Sequence, residues 1–141
     1  MRVLRPLAIA ALCATCVLVG WLAHAAQEQR YKSASGTELR MLVGAAELGG
    51  TEVELGELTF PAGADSGDHV HGSTEIFYVL AGELEHVVNG RSSVLKPGTV
   101  GFVRPPDRVR HKTGSAGAKA LVIWAPGGES ARITSRWQAV K

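Results

Sequence analysis

Two hydrophobic patterns divide the chain. The first is continuous: after Arg2 and Arg5, residues 7–22 are almost wholly apolar, and Ala23-His24-Ala25 follows. A basic start, an apolar run and a small-x-small tripeptide predict an export signal over residues 1–25, cut after Ala25. An uncleaved membrane anchor is the alternative, although Leu7 to Ala26 reaches the roughly 20 residues of a span only by including His24. Both readings keep the arginines inside and place the rest of the chain in the periplasm or outside the cell. Arg2 and Arg5 are not adjacent, which favours Sec-type export over the twin-arginine route.

The second pattern alternates. Thr51 to Phe60 switches between apolar and polar at period two, and Glu75–Leu80, Leu84–Val88 and Val100–Val103 are rich in strand formers. Glu38–Val43, Arg110–Thr113 and the wholly apolar Ala120–Trp124 complete the set. Asn89-Gly90 suits a two-residue hairpin turn, and Pro97-Gly98 a second turn. Gly82 is expected to end a strand, and Gly114 to Gly117 to form a turn. Residues 129–141 read as a tail, either a short helix or extended. Short strands with turn signals every 8–12 residues predict an all-β sandwich or barrel. No repeat or linker marks a second domain.

Composition narrows the partners. A formal net charge of +2 is too weak a bias for nucleic acid. Cleavage after Ala25 would leave 13 basic and 13 acidic residues and remove both cysteines, Cys13 and Cys16. The mature protein then has neither a disulfide nor a thiolate ligand, although its compartment permits disulfides.

The chemistry centres on histidine. His69 and His71 lie two residues apart, so on a strand both imidazoles share a face. Glu75 follows the Gly72-Ser73-Thr74 turn and starts the next strand. Neighbouring antiparallel strands lie ~4.8 Å apart, which lets its carboxylate reach the same point. His111, after Pro105-Pro106, is the candidate fourth ligand. Three imidazoles and a carboxylate suit a divalent transition metal: Mn, Fe, Cu, Zn or Ni. Taken alone, His-x-His with a nearby Glu also fits a polar turn. His86 has the parity of Leu84 and Val88; a buried histidine bonded to a backbone group is favoured over a substrate contact. Phe77 and Phe102 are expected in the core or pocket, and Tyr78 outside. Arg104, Arg108, Arg110 and Lys112 read as a solvated rim.

The spacing Gly63, His69, His71, Glu75, Gly82 resembles the first motif of the cupin superfamily at every position. The second motif is looser: Gly98 leads to Pro106 over two extra residues, Arg108 replaces a glycine, and Ser115 replaces an asparagine, while His111 falls in place. The resemblance covers about residues 37–128 and is to small, single-domain, quercetin-dioxygenase-like cupins. It implies a double-stranded β-helix, or jelly-roll, barrel with a metal held inside by His69, His71, Glu75 and His111, and frequent homodimers. It further implies a metal-dependent oxidoreductase of the dioxygenase type acting on a small organic molecule, with Glu75 available as a catalytic base. The alternatives are a non-catalytic metal or small-ligand binding module and a cupin isomerase or lyase. A membrane partner enters only if the first segment stays uncleaved.

Overall fold

The computed structural model describes residues 29–140; residues 1–25, read above as an export signal, with His24 and both cysteines, lie outside the described residues. Nine strands follow in chain order: β1 (Arg30–Lys32), β2 (Glu38–Val43), β3 (Glu54–Phe60), β4 (His69–Val70), β5 (Thr74–Val88), β6 (Arg91–Leu95), β7 (Val100–Val103), β8 (Arg108–Ala125) and β9 (Gln138–Val140). Among the described residues two short helices, α1 (Ala45–Leu48) and α2 (Glu129–Thr134), interrupt them. All pairings are antiparallel, in the order β6-β5-β8-β3-β2-β1-β9, with β4 on β8 and β7 on β5. This is the expected all-β jelly-roll class.

The two long strands differ from the sequence expectation. Gly82 does not end β5, and Gly114 to Gly117 does not interrupt β8. Both strands bend and run on. Gly82 and Gly117 carry φ of 71° and 67°, and Gly82 pairs with Ala118 at the bend. A Cβ at Gly82 would sit 2.1 Å from the Gly117 carbonyl oxygen. The glycines thus supply a left-handed kink and a close backbone crossing rather than a turn. Beyond the kink each strand changes partners. The first half of β5 pairs with β7 and with the end of β8; its second half pairs with β6 and the start of β8. The Asn89-Gly90 turn is as expected, with positive φ at both residues.

Alternation decides what faces inward. In β3, Leu58 and Phe60 are buried, and in β5 so are Glu75, Phe77 and Val79. Leu39, Leu84, Ala120, Val122 and Trp124 complete the core. Tyr78 lies outside, as its parity requires. Phe102 corrects the expectation: it is 58% exposed, because it stands opposite Ile76 on the outward face of β7. The basic rim is largely solvated, and Arg110 forms a forked pair with Asp65.

The last segment is neither a single helix nor a loose end. It folds as α2 followed by β9, which joins the sheet by pairing with β1. The backbone N–H of Ser130 donates to the buried Glu54 of β3, fastening the start of α2 to the barrel.

Candidate metal centre

Strand parity brings the four predicted donors to one side of the barrel interior. His69, Glu75 and His111 line a common cavity with Leu58, Phe60 and Phe77. His71 sits behind Glu75 and is buried. The rings of His69 and His71 are 4.8 Å apart, and those of His69 and His111 are 5.6 Å apart.

Hydrogen bonds assign the state of each donor. His69 Nδ1 donates to the Gly67 carbonyl at 2.9 Å, which leaves its Nε2 as a lone pair. His71 Nδ1 donates to the Glu129 carboxylate at 2.9 Å, so its Nε2 is likewise the lone-pair nitrogen. That Nε2 approaches Glu75 Oε2 to 2.9 Å, yet neither atom makes a hydrogen bond and both are buried. With His71 neutral, two lone-pair atoms face each other and repel, a repulsion that a proton on Nε2, favoured by Glu75 and Glu129, also relieves. A cation shared by both removes that repulsion, and 2.9 Å is a normal separation for adjacent ligands about 2.1 Å from one ion. Glu75 Oε1 is occupied separately, by the Trp124 Nε1–H at 2.8 Å.

His111 differs. Its backbone is set by a reciprocal pair with Ser66, in which His111 N–H donates to Ser66 Oγ and Ser66 N–H to the His111 carbonyl. Its ring, however, is held by a competing bond. His86 Nε2 donates to the Phe102 carbonyl at 3.1 Å, so a neutral His86 has a bare Nδ1. That Nδ1 lies 3.0 Å from His111 Nε2, which must therefore carry the proton. Among the described residues no three such side chains, His69, His71 and Glu75 included, converge tightly enough to hold a metal ion as they stand. His69 Nε2, His71 Nε2 and Glu75 Oε2 have no hydrogen-bond partner among the described residues, and His111 could offer its Nε2 only after releasing His86. The backbone bond favoured for His86 is present, and a bond to His111 accompanies it.

Electrostatics follow the same division. Burial, reinforced by the neighbouring His86, holds His111 well below its ordinary 6.5. Burial also lowers His69. For His71 burial opposes protonation, but the carboxylates of Glu75 and Glu129 outweigh it and raise the pKa. Neutral imidazoles at 69 and 111 are the metal-binding form.

Sequence reasoning missed Glu129 and Trp124. Glu129 is 3% exposed; it accepts from His71, from the Gly72 N–H at 3.1 Å and from Arg132 Nε at 3.0 Å. Burial would raise its pKa, but Arg132, His71 and Gly72 together lower it, so it stays a carboxylate. A histidine ligand backed by a carboxylate is the usual arrangement around protein-bound metals. Nothing in the local sequence signals it, since 58 residues separate Glu129 from His71.

Comparison with known proteins agrees with this architecture. The cupin domain family model matches residues 56–131, more than half of the chain. Among solved structures, an RmlC-like cupin from Shewanella frigidimarina is similar, with a TM-score of 0.61 and 24% identity over 71% of this chain and 86% of that one. A predicted oxalate decarboxylase from Thermotoga maritima has a TM-score of 0.59 and 23% identity, covering 72% and 94%. The oxalate decarboxylase of Bacillus subtilis, a protein with Mn(II) centres, has a TM-score of 0.61 and 19% identity, covering 71% of this chain and 28% of that one. A search of curated proteins finds no significant match by sequence.

Proposed function

The chain belongs to the cupin domain family, and from that premise we propose that it is an exported, metal-dependent oxidoreductase of the dioxygenase type acting on a small organic molecule. The observation that carries the metal is the buried pair His71 Nε2 and Glu75 Oε2, 2.9 Å apart and without hydrogen bonds. His69, His71 and Glu75 would hold a divalent ion, with His111 as fourth donor. When bound, the ion supplies Lewis acidity to an oxygen of the bound molecule.

The chain's own residues do the remaining work. The Gly67 carbonyl and Glu129 fix the tautomers of His69 and His71. Trp124 holds one oxygen of Glu75 and leaves the other for the site. Leu58, Phe60 and Phe77 give the cavity an apolar lining. Among the described residues lining it, Glu75 is the only carboxylate, and it would act as a base at Oε2 only after leaving the ion. A Sec substrate folds after translocation, so its centre would fill where copper and zinc compete strongly; Mn, Cu, Zn and Ni are expected at least as readily as Fe. The exposed cross-strand pair Tyr78–Val100, with Phe102 beside it, supports the homodimer the family resemblance implies; light scattering at micromolar concentration tests it.

Elemental analysis of wild type beside His71→Ala and His111→Ala tests the centre. Wild type is expected to carry about one divalent ion per chain, and His71→Ala to lose most of it. Wild-type protein that stays metal-free after reconstitution with Mn, Fe, Cu, Zn and Ni would overturn the reading. Oxygen uptake by loaded protein with phenols or diketones separates catalysis from the alternative, a binding module, which would bind one of them without turnover.

A further inference from the structure

We infer that the cavity in front of Glu75 takes a compact ligand of one ring, with an apolar body and at most one negative charge, and that Ile133 and Trp137 set that preference. This deepens the metal-centre reading and rests on it for the charge argument; the size and apolarity arguments rest on the cavity alone.

The cavity has a volume of about 240 Å³. A cavity of about 150 Å³ accommodates benzene, and drug-sized ligands occupy roughly 300–1,000 Å³. The space therefore suits one ring with a few substituents and is too small for a fused polycyclic molecule. Its walls are apolar where they are broad. Leu58, Phe60 and Phe77 line it together with the half-buried Ile133 and Trp137, which pack on the core cluster. Ile133 belongs to α2, and Trp137 precedes β9. Both lie beyond residues 56–131, the span matched by the family model, as do Ser33, Ser35 and Thr37, which also line the cavity. Part of the cavity lining therefore comes from segments that flank the matched span.

Charge sets the second limit. Among the described residues no lysine or arginine lines the cavity. Arg132 stands near, but its guanidinium is committed to Glu129 and to the Val70 carbonyl. A divalent ion beside the Glu75 carboxylate leaves one net positive charge, enough to offset a single phenolate, enolate or carboxylate oxygen. A compact dianion would bring a second charge into an apolar enclosure with no counter-ion, which is costly.

The test uses the full mature chain loaded with Zn(II), which is redox-silent, and reads binding by calorimetry and tryptophan fluorescence. Catechol is expected to bind at least tenfold more tightly than oxalate, and quercetin not to compete with it. Ile133→Phe, which adds bulk to the lining, and Trp137→Ala, which removes part of it, are each expected to weaken catechol at least fivefold with zinc content unchanged. Equal or tighter binding of oxalate, or catechol binding indifferent to both variants, would overturn the inference. A separate titration with phenol, using metal-free protein, keeps the two readings distinguishable. Saturable phenol binding weakened by Ile133→Phe supports the apolar cavity even if no metal binds; no saturable binding up to the solubility of phenol overturns it even if zinc does bind.

Discussion

Each candidate ligand is set by an atom other than the one it would offer a metal. Glu129 holds the Nδ1 proton of His71 and so keeps Nε2 directed at Glu75. Glu129→Gln preserves volume but removes the carboxylate, and metal affinity is expected to fall about 10- to 100-fold in competition titrations with a chelator. An unchanged affinity would mean that Glu129 only fastens α2 to the barrel. His86 acts in the opposite sense, since its Nδ1 competes for the Nε2 of His111. A neutral hydrogen bond contributes about 1 kcal/mol net. His86→Leu is therefore expected to keep the metal and tighten its binding by about fivefold, while His111→Ala weakens it; loss of metal from His86→Leu would show that His86 orients the ligand instead. The spacing of His69, His71 and Glu75 was legible because parity along a strand determines which side chains share a face. The state of His111 was not, because it depends on a partner 25 residues away that β5–β8 pairing places directly opposite.

Elements position these residues through two bent strands. β5 carries Glu75 before its kink and His86 after it, and β8 carries His111 before its kink and Trp124 after it. The crossing at Gly82 and Gly117 allows one strand to serve both ends of the barrel. Gly82→Ala introduces a Cβ against backbone, at a φ that side chains resist. The expected loss is about 2–4 kcal/mol of unfolding free energy, read from the urea midpoint. Gly90→Ala also has positive φ but nothing within 4 Å of its Cβ, so its loss should be smaller, about 1 kcal/mol. Equal losses at the two sites would argue against the crossing as the cause. Glycine in a strand pattern is ambiguous in sequence, since turn and kink demand the same backbone freedom; the number of strands passing the point distinguishes them, and that is a tertiary fact.

For the whole molecule, burial of neutral histidines couples stability to pH. Unfolded, His111 titrates near 6.5; folded, it titrates well below that value because of burial and the nearby His86. Below 6.5 the unfolded state binds the extra proton. The His111 contribution to the stability of the metal-free protein is therefore complete above about pH 6.5 and declines as pH falls towards the folded pKa, by about 1.4 kcal/mol per pH unit inside that window. His69 acts in the same direction. His71 does not offset them there, because its raised pKa makes its contribution complete below 6.5 and lost only as pH rises through the raised value. Thermal melts in chelator between pH 7.5 and about 5 check this; a flat midpoint below pH 6.5 would contradict neutral burial of His111. Added Zn(II) is expected to raise the midpoint at neutral pH and to lose that effect in acid, as protons displace the ion.

The sequence by itself determined the alternation, the turn at Asn89-Gly90, and which imidazoles and carboxylate point into the barrel. These are consequences of period-two geometry and local backbone preference, which act over a few residues. Only the tertiary structure decided that Glu129 returns from the last segment to hold His71, that Trp124 anchors Glu75, that His86 engages His111, and that Ile133 and Trp137 wall the cavity. Those contacts join residues 25 to 58 positions apart or more, and they exist because strand pairing and the burial of α2 and Trp137 against the core bring distant segments together. No local propensity encodes that distance.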